Sequence, residues 1–186
     1  MTRSLPVTPP SRYTVGFLYV LTILFSGFFV YLHLSSIAGL DPERARTQLM
    51  GLLTMLGMLL LAFAGILFAL NRRALLLTDK ELIVRAGFYG RTLPRSSLRP
   101  EAALEVSLLE YRDLGPLWRT NGIGLPGFKA GWFRLRNREK ALVLLTDPFK
   151  VTYLPTSEGY ALLISTNALL AALREPAPAA ADGRSR

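Results

Sequence analysis

The 186-residue chain contains no cysteine. Disulfides, thiolate metal sites and cysteine nucleophiles are therefore excluded, while the redox compartment stays open. Histidine occurs once, at His33. Acidic residues are scarce, thirteen against twenty-two lysines and arginines, which leaves a formal net charge of +9. That imbalance implies an anionic neighbour: phospholipid headgroups, nucleic acid or an acidic partner.

Apolar residues, in contrast, make up 51% of the chain and are unevenly placed. Residues 15–34 (VGFLYVLTILFSGFFVYLHL) and 49–70 (LMGLLTMLGMLLLAFAGILFAL) carry no formal charge. At about 1.5 Å of rise per residue, either block spans a hydrocarbon core of about 30 Å as a helix. Tyr13 and Tyr31 stand near the two ends of the first, where amphipathic rings favour an interface. Asp41-Pro42-Glu43 reads as N-cap, N1 and N2 of the second helix, and Arg72-Arg73 closes it. The expected organisation is an arm with two transmembrane helices over 1–73, a cytoplasmic domain over 74–175 and a disordered tail over 176–186.

Arg3 and Arg12 precede the first block and Arg72-Arg73 follow the second. The loop between offsets Arg44 and Arg46 with Asp41 and Glu43. The positive-inside rule then gives a multi-pass protein of the cell membrane with both termini in the cytoplasm. A competing reading makes the first block a signal peptide cleaved after Ser36-Ile37-Ala38, but the block exceeds the usual signal core of about 7–15 residues. His33 lies at the outer end of this helix, and with no acidic partner in either span it reads as interfacial rather than as a proton path. Gly51, Gly57 and Gly65 form no G-x-x-x-G pair and are expected only to let the hairpin close.

From residue 74 the period shortens. Residues 74–77 and 82–84 read as strands around the polar turn 78–81. Gly87 to Gly90 makes another turn, and 91–95 reads as an edge segment because Pro94 fits poorly in a central strand. Further strands are expected over 103–111, with Leu104, Val106 and Leu108 alternating, and over 140–146, 151–154 and 160–164. Ser165 or Thr166 then caps a helix with Leu169, Leu170 and Leu173 as its apolar stripe. Short antiparallel strands followed by one helix indicate a mainly β, α+β domain, or a small barrel capped at one end.

Gly122-Ile-Gly124-Leu-Pro-Gly127 is a literal G-x-G-x-x-G, with Asp147 twenty residues on. A dinucleotide fingerprint needs a buried strand entering the first glycine and a helix leaving the last. Residues 113–121 contain Gly115 and Pro116 and no aliphatic run, so no strand is expected there. Trp132-Phe-Arg-Leu-Arg136 alternates as a strand, and Asp147 reads as a turn residue before Pro148. In that strand Phe133 and Leu135 face the core, while Trp132, Arg134 and Arg136 share the opposite face. Six basic residues (Arg119, Lys129, Arg134, Arg136, Arg138, Lys140) stand against Glu139 alone between 119 and 140. Arg119, Lys129, Trp132, Arg134, Arg136 and Arg138 are therefore the candidate anion-facing surface, weighed against a merely solvating one.

These stretches resemble a bacterial pleckstrin-homology-like (PH-like) family. The resemblance rests on Leu77-Thr-Asp-Lys-Glu-Leu82, on Thr120-Asn-Gly-Ile-Gly-Leu-Pro-Gly127 with Gly131-Trp-Phe-Arg-Leu-Arg136, and on Ala141-Leu-Val-Leu-Leu-Thr-Asp147. Tyr153-Leu-Pro-Thr156, Gly159-Tyr-Ala-Leu-Leu-Ile-Ser165 and the closing leucine-rich helix complete it, over about residues 74–173. It implies a bent seven-stranded barrel closed by the C-terminal helix and placed beside two membrane spans. It supplies no catalytic residues and no cofactor. The chain departs from the family pattern at Asn137-Arg138-Glu139, where an Asn-Gly turn is expected.

The resulting expectation is a membrane-anchored binding or scaffolding module that presents a basic, aromatic face to a protein partner or to anionic lipid headgroups. A structural subunit of a larger membrane complex is the alternative, and homo-oligomerisation is compatible with either. Enzyme chemistry is disfavoured: Glu105, Glu110 and Asp113 have no accompanying histidine, lysine pair or metal spacing. No catalytic, cofactor or metal site is expected. Nucleic acid is disfavoured as a partner, because a basic face beside a bilayer is accounted for by lipid.

Overall fold

A computed structural model describes residues 2–37 and 39–175; the expected tail lies outside them. The described residues form two units, one of residues 12–71 and one built from 2–11 together with 72–175.

The first strand, β1 (Thr2–Leu5), precedes the helices α1 (Arg12–Ile37) and α2 (Pro42–Asn71). At 26 and 30 residues, both helices are long and apolar enough to cross a membrane. The N-terminal signal of α2 reads as expected. Asp41 Oδ1 accepts the Arg44 amide at 3.0 Å, and Pro42 occupies the first turn. His33 Nδ1 lies 3.2 Å from the Phe29 carbonyl, within its own helix. The helices meet through rings, with Tyr19 and Phe63 edge to face at 5.0 Å. The expected role of the helical glycines does not hold: a Cβ added at Gly51, Gly57 or Gly65 would meet nothing within 4 Å.

The other unit contains two sheets. In the four-stranded sheet β1 is followed by β2 (Arg73–Thr78), β3 (Glu81–Ala86) and β4 (Tyr89–Pro94), paired in chain order and antiparallel. Thr78 Oγ1 accepts the Glu81 amide across the first turn. The second turn is Gly87-Phe88 with Gly87 at φ +66°, the glycine that a tight hairpin needs at its first central position. β4 is an edge strand, which is where Pro94 is tolerated. β1 was missed in the sequence because Thr-Arg-Ser-Leu has no alternation; its order comes from pairing with residues 75–78. Residues 2–11 therefore belong with the β-rich unit, not with the helices.

The six-stranded sheet comprises β5 (Leu104–Val106), β6 (Pro116–Leu125), β7 (Phe128–Leu135), β8 (Lys140–Leu145), β9 (Val151–Pro155) and β10 (Ala161–Ile164), in the order β5-β9-β10-β8-β7-β6. β8 and β10 pair in parallel, a departure from the all-antiparallel expectation. Their near-continuous apolar runs fit strands covered on both faces. One row buries Phe133, Leu135, Val143, Val151 and Leu163 together, and the opposite row, Leu142, Leu144, Leu154 and Leu162, is equally buried. β5 is far shorter than the expected strand. Leu104 is 46% exposed, so its alternation with Val106 does not mark a buried face. A strand does run through 116–121, contrary to expectation. Pairing with β7 holds it, irregularities follow Pro116 and Arg119, and the Thr120 hydroxyl bonds the Trp132 carbonyl at 3.0 Å.

The last helix is α3 (Leu169–Arg174), with Leu169, Leu170 and Leu173 buried as expected. Neither expected residue caps it. Ser165 Oγ instead accepts the Thr146 and Asp147 amides, and Ala168 stands at the N-cap. Residues 2–11 are stitched down beside it. The Thr146 hydroxyl donates to the Thr8 carbonyl at 2.7 Å and the Thr166 hydroxyl to Pro6 at 2.8 Å. Arg3 pairs with Glu175. Among the described residues the strands form two hydrogen-bonded sheets, one of four strands and one of six.

Candidate functional site

The glycine motif lies in the β6–β7 hairpin. Gly122 and Gly124 are strand residues, and Pro126-Gly127 is the two-residue turn, with Gly127 at φ +73°. A strand, not a helix, leaves Gly127, so no helix N-terminus faces a phosphate here. Asp147 is a turn residue as read, its Oδ1 accepting the Phe149 amide at 2.9 Å. Gly122 has a packing reason instead, since a Cβ there would lie 2.5 Å from the Ala130 carbonyl oxygen. Gly122 sits opposite Gly131. A Cβ on Gly131 would lie 2.6 Å from the Asn121 carbonyl oxygen and 2.9 Å from the Tyr89 ring. Gly131 also adopts φ +112°, so both space and backbone require glycine. The close approach lets Tyr89 of β4 reach across the hairpin, where its hydroxyl donates to Asn121 Oδ1 at 2.9 Å.

Next to this crossing lies Trp132, half-buried. The Arg91 guanidinium stands 5.4 Å from its ring centre and Lys140 Nζ 4.6 Å, both within cation–π range. Tyr160 meets the same ring edge to face at 4.9 Å. Burial raises the Tyr160 phenol pKa, with Glu158 adding to the rise and Arg91 opposing it. Cross-strand pairing sets Trp118 beside Arg134 and Arg134 beside Lys140. Like charges directly opposite one another cost stability. Among the described residues no carboxylate forms an ion pair with Arg91, Arg134 or Lys140. The result is a rim with three cations, two tryptophans and a tyrosine.

The six sequence candidates do not form one face. Trp132 and Arg134 belong to this rim. Lys129 pairs with Leu145 on the Phe133 side of the sheet, with Nζ 3.5 Å from the Pro116 carbonyl. Burial, and then the neighbouring Arg136 charge, lower its pKa. Arg136 has left the strand; its amide bonds the Gly115 carbonyl. Arg119 pairs with Phe133, also on the other face. Arg138 occupies the turn at φ +69° and its carbonyl accepts Arg134 Nη1 at 2.9 Å. The expected sharing of a face by Trp132, Arg134 and Arg136 thus fails at Arg136, because strand β7 ends at Leu135. Arg91 and Tyr89 were invisible to local patterning because they arrive from the other sheet.

Of the carboxylates weighed for catalysis, Glu105 lines a cavity of about 230 Å³ with Ser107, Lys150 and Thr166. Glu139 accepts the Tyr153 hydroxyl at 2.5 Å, and burial first, then that hydrogen bond, raise the Tyr153 pKa. Among the described residues no group of histidine and acidic side chains could hold a metal ion. Comparisons with protein families, with curated proteins and with solved structures find no match to this chain.

Proposed function

We propose that this chain is a membrane-anchored PH-like binding module whose rim of Arg91, Arg134, Lys140, Trp118 and Trp132 receives an anionic partner, an acidic protein segment or lipid headgroups. The observation that carries the reading is the Trp132 ring within cation–π range of two cations that have no ion pair among the described residues. Arginine beside exposed tryptophan is the chemistry of interface anchors. An acidic ligand also relieves the repulsion between Arg134 and Lys140. The PH-like assignment includes closure of the two sheets into a barrel, supported by the approach of Tyr89 on β4 to Gly131 on β7.

Anchoring is supported by chain topology. β1 precedes α1 and pairs with β2, which follows α2. Strands paired this way lie on one side of a bilayer, so the helices between them cross it out and back. The basic residues flanking the helices favour the cytoplasmic side. Tethering also raises the local concentration of any site next to the membrane.

The test uses the full chain in zwitterionic nanodiscs, titrated with a fluorescent glutamate-rich peptide and separately with anionic vesicles. Joint substitution Arg91→Gln, Arg134→Gln and Lys140→Gln should weaken binding about tenfold or more, in a protein that still unfolds cooperatively. Arg136→Gln should leave it unchanged. Equal binding by the triple variant would reduce the rim to a solvated surface.

A further inference from the structure

A second basic feature lies on the opposite face of the β3–β4 hairpin. Leu82, Val84 and Leu93 point into the core, so the alternating Ile83, Arg85, Gly90 and Thr92 look away from it. With Arg72 and Phe88, and with Tyr89 and Arg91 at the edge shared with the rim, they line an open groove of about 500 Å³. Arg72 and Arg85 are exposed, and Phe88 at the tip is 56% exposed.

The groove is tied to α2 through the sequence. Arg72 follows Asn71, the last residue of α2, directly. The amide of Gly87, at the hairpin tip, bonds the Arg72 carbonyl at 2.9 Å. The tip is thereby bonded to the residue that follows, in sequence, a helix long enough to cross a membrane. An aromatic side chain and arginines next in sequence to such a helix suit the headgroup layer. Guanidinium groups bind phosphate in a planar, bidentate manner.

We propose that the outer groove of the β3–β4 hairpin is a docking site for the phosphate of an anionic phospholipid, with Arg72 and Arg85 as its ligands and Phe88 as the interfacial wedge. This rests on the anchoring reading above; the groove adjoins the rim at Tyr89 and Arg91, but its proposed ligands, Arg72 and Arg85, lie outside the rim. The site would give the β-rich unit a preference for anionic bilayers.

The absence of native cysteine permits a direct test. Thr92→Cys in the full chain is labelled with a fluorophore and reconstituted into bilayers containing doxyl-labelled phosphatidylglycerol or doxyl-labelled phosphatidylcholine. Preferential quenching by the anionic lipid is expected, about fivefold in relative binding for each arginine engaged. Arg72→Gln with Arg85→Gln should bring the ratio close to one, and Arg72→Lys with Arg85→Lys should keep most of it. Equal quenching by both lipids, an unchanged ratio in the glutamine variant, or displacement by inorganic phosphate at modest concentration would overturn the proposal. Flotation of the same samples separates the two readings. A chain that fails to float with lipid ends the anchoring reading, whereas a chain that floats without preference ends only this one.

Discussion

At the scale of single residues, the glycines give the sharpest expectations. Gly131→Ala must place a methyl against the Asn121 carbonyl and the Tyr89 ring at an unfavourable φ, and should cost about 3 kcal/mol or more. Gly124, inside the G-x-G-x-x-G that ends before Gly131, faces open space, and Gly124→Ala should stay within about 0.5 kcal/mol. Chemical denaturation of the two variants separates packing need from motif resemblance. Arg138 bears the opposite strain, a long side chain at φ +69°. Its Asn-Arg-Glu turn forms the hairpin that an Asn-Gly turn was expected to form, so Arg138→Gly should raise stability by about 0.5–1 kcal/mol. Tyr153 supplies a pH dependence. Its folded pKa lies above the unfolded value of about 10, so its contribution is full below that pH and is lost as pH rises through the folded value. Alkaline unfolding should therefore be steeper for the native chain than for Tyr153→Phe, with no difference in slope at neutral pH.

At the scale of elements, what could be read in the sequence was whatever local pattern dictates. β2, β3, β8, β9 and β10 follow from apolar runs between turn residues, and α2 from its Asp-Pro-Glu start. The misses share one physical cause, order imposed by a partner strand. β1 and β6 have little hydrophobic signal of their own and are held by β2 and β7. The site divides in the same way. Trp132 and Arg134 were legible from period two, but Arg91 and Tyr89 come from another sheet, and the end of β7 at Leu135 removes Arg136. Residues 2–11 carry an element-scale prediction. Their removal strips the acceptors from the buried hydroxyls of Thr146 and Thr166, and should cost about 2–5 kcal/mol. Thermal unfolding of the truncated chain measures it. A fragment beginning at residue 74 should suffer likewise, since it lacks β1 altogether.

At the scale of the molecule, the β-rich unit is assembled from chain on both sides of the two helices in sequence. The pairing of β1 with β2 makes the two features interdependent, because chain on either side of the helices must meet in one sheet. The rim of Trp132, Arg91 and Lys140 is the surface proposed to receive a partner. Its most direct test is site-specific photo-crosslinking from position 118 of the full chain in its own membrane. The account predicts a discrete adduct that disappears when Arg91, Arg134 and Lys140 are all changed to glutamine, while the protein stays folded and membrane-bound. No adduct, or one that persists unchanged in that variant, would contradict it.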